Sequence, residues 1–496
     1  EAELHRVRIL KEAGFNAIRM AHNPASSALL RACDKLGLYV MDEAFDMWSR
    51  PKKDNDYSLF IDKWWEEDIT ALVDNDFNHP SVIFYSLGNE IPEVGTAQGA
   101  AFGRDMARLV KRLDPKRYAL VSINGVFASG DYVPQIMSDV LSAAAARGED
   151  VGNVNNFMTA MDTHMDDIVC HPLVSERIDA ASAGMDLVGY NYMAARYEAD
   201  ALTYPNRVVV GSETYPPHIP RNWALVKKLP NLIGDFTWTG WDYIGEAGVG
   251  VPAYRFGEGG FGAQFPCQIS FCGDMDITGF RRPASYFREI VFGLRKAPYI
   301  TVQDPAHYGE HLIKTPWVIS DSQSSWSWKG FEGKNIVVEV YAAGTEVELL
   351  LNGTSLGRKV CGEASGYITL FETTYAAGTL TAVAYDGDVE LGRMELLSSG
   401  EVASITMETD CVGELQYVNI TLCDGEGNVV TDRDMDVTVE VEGAALLGFG
   451  SGDPKPAYNY TGNTTRTFRG RAMAIVRGAG TVTVRCDKCS AALSVN

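Results

Sequence analysis

Hydrophobic positions follow two different rhythms along this chain, and the change comes near residue 298. Before it, short apolar runs alternate with segments of helical period. Residues 1–14 place Leu4, Val7, Leu10 and Ala13 at helical spacing and end on Gly14, a residue suited to closing a helix. Residues 16–22 read as a strand, 26–36 as a helix closed by Gly37, and 38–45 as a strand. An amphipathic helix follows over 59–76, carrying Phe60, Trp64, Ile69 and Leu72. Then come a strand at 82–87, a helix at 100–113 and a strand at 118–123. Residues 125–172 are ambiguous, with a helical stretch over 136–146 and an Asn- and Met-rich loop. Strands at 185–192, 208–211 and 232–238 precede a last helix at 284–294.

Strands that are apolar on both faces and separated by helices predict a parallel sheet. The seven strands end in Arg19/His22, Asp42/Glu43, Asn89/Glu90, Asn124, Asn191/Tyr192, Glu213 and Trp238/Trp241. Polar or aromatic ends on apolar strands mark the catalytic face of a TIM barrel. An open doubly wound sheet would carry a Gly-rich phosphate turn after its first strand, and none appears. The expectation is a (β/α)8 TIM barrel over residues 1–298, its first strand belonging before Glu1. Beyond residue 298 apolar and polar positions alternate singly. Asn352-Gly353 is a hairpin turn signal between two such runs. Short strands at regular spacing predict two immunoglobulin-like β-sandwich domains, 299–398 and 399–496, joined at Ser398-Ser399-Gly400.

Length agrees: 496 residues at roughly 150 per domain gives about three domains. Lys and Arg number 43 against 65 Asp and Glu, a net charge of −22. That argues against a nucleic-acid or anionic-membrane partner, both of which need basic patches. It suits a neutral carbohydrate. No apolar run approaches the roughly 18 residues of a membrane span. The nine cysteines are scattered. Cys486 and Cys489 form one CxxC pair with no second pair at zinc-site spacing, and are expected to be incidental thiols. Residue 1 is Glu rather than Met and no signal peptide is visible, which leaves the compartment unread, the cytoplasm slightly favoured.

Two glutamates then stand out. Glu90 closes the run that starts at Ser81, and Glu213 closes the run that starts at Arg207. Each falls where a strand gives way to a loop. Two carboxyl groups facing one cavity are the minimum equipment for cutting a glycosidic bond. An arbitrary glutamate is usually a solvated loop residue. The flanking apolar strands and the Asn89-Glu90 dipeptide favour chemistry instead.

Five ordered motifs give the pair a family. His79-Pro-Ser-Val-Ile-Phe-Tyr-Ser-Leu-Gly-Asn-Glu90 resembles the acid/base signature of glycoside hydrolase family 2, the family of β-galactosidases, β-glucuronidases and β-mannosidases. Arg19-Met-Ala-His22-Asn-Pro24 resembles its second-strand motif and Tyr39-Val-Met-Asp-Glu-Ala44 its third. Gly211-Ser-Glu213 stands where the nucleophile belongs, and Asp235-Phe-Thr-Trp238 resembles the eighth strand. The later segments resemble the β-sandwiches that follow the barrel in β-galactosidase-like members. The resemblance implies that Glu90 is the general acid/base and Glu213 the nucleophile. The acid must begin protonated, so its pKa must be raised by burial or a neighbouring carboxylate. Arg19 would keep the nucleophile ionised. Asn89 would bind the sugar 2-hydroxyl, Tyr192 would hydrogen-bond the nucleophile, and Asn191 joins them at the substrate site. His22 and Trp238 would line the sugar subsite, with a core or capping histidine and plain barrel packing as the alternatives. Asp46, Trp48 and Trp241 are rim candidates.

Departures narrow the reading. The magnesium-binding Glu-x-His that follows the third strand in some β-galactosidases is replaced by Phe45-Asp-Met-Trp48, so no metal is expected there, and no cofactor elsewhere. No Asn-x-Lys of the glucuronidase kind occurs near Thr237 to Asp242. The family's sugar-binding jelly roll, first sandwich and first barrel strand have no counterpart in this sequence. The expected activity is that of an exo-acting retaining β-glycosidase, β-galactosides foremost, with β-glucuronidase or another β-hexosidase second. A non-catalytic, carbohydrate-binding remnant is the reading from another class. Chains of this kind often self-associate, so a homo-oligomer is allowed for.

Overall fold

The structure, a computed structural model, describes residues 1–149, 164–255, 257–313 and 315–496. The chain divides into two compact units, one of residues 10–238 and one that joins residues 1–9 to 239–496. The compact division thus falls at residue 239, whereas the hydrophobic rhythm changes near 298.

Residues 10–238 form a nearly closed parallel barrel. Its strands are β1 (Ala17–Arg19), β2 (Tyr39–Glu43), β3 (Val82–Asn89), β4 (Tyr118–Ile123), β5 (Val188–Asn191), β6 (Val209–Thr214) and β7 (Leu232–Thr237). They pair in chain order, and β1 and β7 approach each other. Helices cross between successive strands, as parallel pairing requires. Their ends follow local chemistry. The helix Ser27–Leu36 starts where the Ser26 side chain accepts from the Leu29 amide. It stops at Gly37, whose φ of 74° is left-handed and whose amide reaches the Cys33 carbonyl. Met41, Leu120, Leu187 and Val210 form a buried cluster. The Asn- and Met-rich loop expected after residue 146 falls largely on 150–163, outside the described residues.

Two strand boundaries matter for the site. The strand expected at 16–22 pairs only through Arg19, after which the chain leaves the sheet. The strand expected at 82–87 runs on to Asn89 through an irregularity between Ser86 and Asn89. Bulges of this kind re-aim side chains at barrel rims. Gly88 sits in that stretch because a Cβ there would meet Trp48 Nε1 at 2.8 Å.

In the other unit the helix Pro283–Val291 leads to two β-sandwiches. The first pairs a three-stranded with a four-stranded antiparallel sheet between Tyr299 and Leu397. Its core includes Trp326, Val338, Leu349 and Phe371. The second pairs two four-stranded sheets between Ser404 and Val495 around Val418, Ile420, Phe449 and Val482. Asn352 and Gly353 turn one hairpin with both residues at positive φ, 50° and 78°, as Asn-Gly predicts. Cys486 and Cys489 face each other across the last hairpin with their sulfurs 3.2 Å apart. Among the described residues no helix is long and apolar enough to cross a membrane.

Candidate active site

The carboxyl-terminal ends of β1, β2, β3, β5 and β6 bring one polar cluster together. Arg19 ends β1 with its side chain 4% exposed, so its charge needs partners. It donates to Glu213 Oε2 at 2.7 Å, to Glu43 Oε2 at 2.7 Å and to Asn89 Oδ1 at 2.8 Å. Burial works against the guanidinium charge, but Glu43 and Glu213 outweigh it and hold Arg19 above its ordinary pKa. Glu43, fully buried, also takes His22 Nδ1 at 2.7 Å and the Ser86 hydroxyl at 2.6 Å. Burial opposes its ionisation; Arg19 and His22 more than offset that and hold the carboxyl down to about 2.

Asn191, at the end of β5, ties the two candidate carboxylates together. Its Nδ2 lies 3.2 Å from Glu213 Oε2, 3.4 Å from Glu90 Oε1 and 2.9 Å from Asn89 Oδ1. The Ser212 hydroxyl donates to its Oδ1 at 2.7 Å and fixes which way the amide faces. Glu90 follows β3 with a left-handed φ of 48°, its amide on the Ser122 carbonyl. Tyr192 follows β5 with φ of 58°, its amide on the Glu213 carbonyl. Non-glycine residues held in this region cluster where function demands a particular side-chain direction.

The two glutamates have different surroundings. Burial, then the charge of Glu213, pushes the Glu90 carboxyl up to about 7. Asn124, Lys52 and Asn191 act the other way. Glu213 is 6% exposed and receives Arg19, Asn191 and the Tyr192 hydroxyl. That hydroxyl is raised well above its usual pKa by burial and by both glutamates, so it remains a donor.

Of the sequence-derived residues, Arg19, Asn89, Glu90, Asn191, Tyr192 and Glu213 form this cluster directly. His22 joins through Glu43, and its ring stacks on Trp238 with centroids 5.2 Å apart. Asp46 accepts from Asn89 Nδ2 at 2.9 Å and from Lys52 Nζ at 2.8 Å. Trp48 is a correction. It is 1% exposed, donates from Nε1 to the Leu87 carbonyl and packs edge-on against Phe102, so it supports β3 from behind and offers no face to a ligand. Trp241 belongs to the other unit, where Arg6 lies over its ring.

Three participants were missed as site residues. Glu43 was visible as a polar strand end and within the third-strand motif, and Asn124 as a strand end, but neither was given a role. Asn124 caps the helix Gly125–Ser129 through Oδ1 while its Nδ2 donates to Glu90 Oε1 at 2.8 Å. Lys52 reaches the Asn89 carbonyl at 2.8 Å from a loop. No sequence periodicity marks a loop lysine.

A model of the glycosyl hydrolase family 2 TIM-barrel domain matches residues 3–199, and one of the family 2 C-terminal domain 5 matches 406–493. A domain of unknown function matches 333–392. A β-galactosidase of Bacteroides ovatus is 23% identical over 526 residues, covering 96% of this chain and 56% of that protein. A provisionally named β-glucuronidase of Formosa agariphila is 28% identical over 389 residues, 77% of this chain and 34% of its own length. The crystal structure of a family 2 member from Bacteroides cellulosilyticus superimposes with a TM-score of 0.82 at 33% identity, over 100% of this chain and 59% of that one. The chain thus spans between about a third and three fifths of the length of these relatives. From its barrel, its sandwiches and these matches, the chain belongs to glycoside hydrolase family 2.

Proposed function

We propose that this chain carries the catalytic centre of a retaining exo-β-glycosidase that removes terminal β-linked sugars, with β-galactosides as the preferred substrates. The observation that carries the reading is the unequal environment of one carboxyl pair: Glu90 is held protonated up to about pH 7, while Glu213 faces a guanidinium. A carboxyl raised in this way suits the acid, and one held against a guanidinium suits the nucleophile. One Asn191 nitrogen reaches both carboxylates. Such closeness favours the roughly 5–5.5 Å spacing of retaining pairs over the roughly 6.5–9.5 Å that leaves room for an inverting water.

In the first step a Glu213 oxygen attacks the anomeric carbon. The glycosidic C–O bond breaks, and the Glu90 proton passes to the leaving oxygen. Glu90, now a carboxylate, takes a proton from water; that water displaces Glu213 and releases the sugar with its original configuration. Arg19 and Tyr192 hold the Glu213 carboxylate in line. Asn89 Nδ2 uses one hydrogen on Asp46, which leaves the second for the sugar 2-hydroxyl, where binding strengthens in the transition state. His22 and Trp238, stacked, form one wall of the sugar subsite. Glu43 is a positioning residue that acts through Arg19 and His22.

The preference for galactosides draws on the Bacteroides ovatus relative and on the absence of an Asn-x-Lys after β7. The Formosa agariphila relative favours a second reading, β-glucuronides. The test is a panel of nitrophenyl β-galactoside, β-glucuronide, β-mannoside and β-glucoside on the full-length protein, with proton NMR of the first-released anomer. Hydrolysis of the galactoside with the β-anomer released first is expected. Failure to turn over any of the four overturns the catalytic reading, and the α-anomer first overturns the retaining mechanism.

A further inference from the structure

A cavity of about 520 Å³ lies wholly within the unit that contains residues 239–496. That volume falls in the roughly 300–1,000 Å³ range of small-molecule sites. Four arginines, Arg281, Arg282, Arg469 and Arg471, are among the residues that line it, in a chain whose net charge is −22. Two have protein partners: Arg281 pairs with Glu289 at 2.9 Å and Arg282 with Asp242 at 3.2 Å. Arg469 and Arg471 pair with no carboxylate among the described residues. Arg471 lies over the Phe280 ring at 4.2 Å and donates to the Arg469 carbonyl at 3.4 Å. Arg469 lies 5.0 Å from the Phe468 ring centroid.

The charge is out of balance as well as unpaired. Burial, then the neighbouring charge of Arg282, holds Arg469 down to about 10, and burial lowers Arg471 too. Asp434, Asp304 and Asp321 act in the opposite sense on Arg469, and Asp276 on Arg471, without cancelling the effect of burial. Asp276 Oδ1 is committed to its own loop, accepting from the Thr278 amide at 2.8 Å, the Thr278 hydroxyl at 2.6 Å and the Phe280 amide at 3.1 Å. Glu395 lies on the exposed side. Arg469 also occupies an unfavourable backbone position. Phe468 and Arg471 bridge across a two-residue turn in which Arg469 and Gly470 have φ of 53° and 73°. Such turns favour Asn, Asp or Gly. An arginine placed there against that preference is accounted for if its side chain has a use.

We propose that this cavity binds an oxyanion carried on a sugar ring, a uronate or a sulfated pyranose, with Arg469 and Arg471 clasping the anion. Guanidinium groups take carboxylate and sulfate oxygens in pairs of parallel hydrogen bonds. The aromatic wall, with Phe280 44% exposed, offers an apolar surface to the C–H groups of the ring. The site is separate from Glu90 and Glu213 and does not depend on their roles.

The test is calorimetry of the full-length protein with galactose 6-sulfate, glucuronate, inorganic sulfate and galactose. The two acidic sugars should bind with an affinity that falls as salt rises, at least tenfold tighter than sulfate or galactose. Arg469→Gln/Arg471→Gln should weaken both at least tenfold while nitrophenyl glycoside turnover stays unchanged. Asp276→Asn, which removes a competing negative charge, should tighten them. Unchanged binding in the double variant overturns the proposal. So does inorganic sulfate or galactose binding as tightly as the acidic sugars. Should the double variant fail to fold, an Asp276→Asn protein with unaltered affinity and no salt dependence overturns it equally.

Discussion

Arg19 in the barrel unit has a buried side chain and Arg469 in the sandwich unit is half-buried against a cavity, and their charges are handled in opposite ways. Each terminal nitrogen of Arg19 donates to a protein carboxylate, Glu213 on one side and Glu43 on the other. Arg469 lines a cavity with another unpaired arginine beside it. A buried guanidinium that is fully compensated is fixed in place and serves to position its partners. One that is not compensated stores an affinity for whatever anion arrives. Removing one partner from a compensated group is costly because a charge is left behind. The substitutions that test the barrel site are therefore those that push Arg19 toward the condition of Arg469.

Glu213→Ala is the most severe. It takes away the proposed nucleophile and half of the compensation of Arg19 at once. The kcat/KM for the preferred nitrophenyl glycoside should fall on the order of 10⁴–10⁶-fold, as when a member of a tightly coupled catalytic group is removed. A variant that keeps a tenth of normal turnover would end the nucleophile assignment. Glu90→Gln leaves Arg19 untouched and should cost less, roughly 10²–10⁴-fold. The loss should be greatest for substrates whose leaving group needs a proton and smallest for nitrophenyl glycosides, which depart without one. An equal loss across leaving groups would contradict an acid role.

The comparison also explains what the sequence disclosed. The sandwiches were legible because one rule, alternation, governs them: the hairpin signalled by Asn352-Gly353 is the turn between the strands Glu346–Leu351 and Thr354–Val360. In the barrel, apolar runs located the strands, but their polar ends were set by the site. Thus β3 runs two residues beyond its apolar stretch, through Gly88 and Asn89, to present Glu90. Glu90 and Glu213 stood out as candidates because each closes such a run. Glu43 closes one too, yet its role depends on Arg19 and His22 lying across from it, which only the register of β1 on β2 supplies. Trp48 was misread for the complementary reason. Its place just beyond the end of β2, near Asp46, suggested the rim, but a close approach to Gly88 draws it beneath β3. Asn124 was visible as the polar end of β4, but its bond to Glu90 exists only in the fold, and Lys52 acts from a loop position that carries no period.

Glu43→Gln removes the other half of the compensation of Arg19 at nearly constant volume. Breaking a buried pair from one side typically costs about 3–5 kcal/mol. A loss of that order should appear in denaturant titration of the barrel, together with reduced kcat. The pH dependence gives an independent check. A carboxyl depressed from 4.5 to about 2 in the folded state contributes stability that is complete above 4.5 and is lost as pH falls through about 2. The wild-type protein should therefore lose stability across that window, and the variant should lose less. Identical acid profiles would mean that Glu43 does not hold Arg19.

Lys52 tests the comparison at its weakest point, since its side chain is 22% exposed and already paired with Asp46 at 2.8 Å. It opposes the burial and the Glu213 charge that together raise Glu90. The acid works only while protonated, so kcat/KM should decline as pH rises through about 7. In Lys52→Met the opposing charge is gone, Glu90 holds its proton to higher pH, and the alkaline limb should move upward by a fraction of a unit. Solvent at the lysine screens the interaction, which is why the displacement is small. A limb that moves downward would show that Lys52 acts on Glu90 through the Asn89 carbonyl it binds rather than through its charge. In that case the acid would be tuned by the backbone geometry of β3, and a Lys52→Arg protein, which keeps the charge but not the same reach, would reproduce the downward displacement.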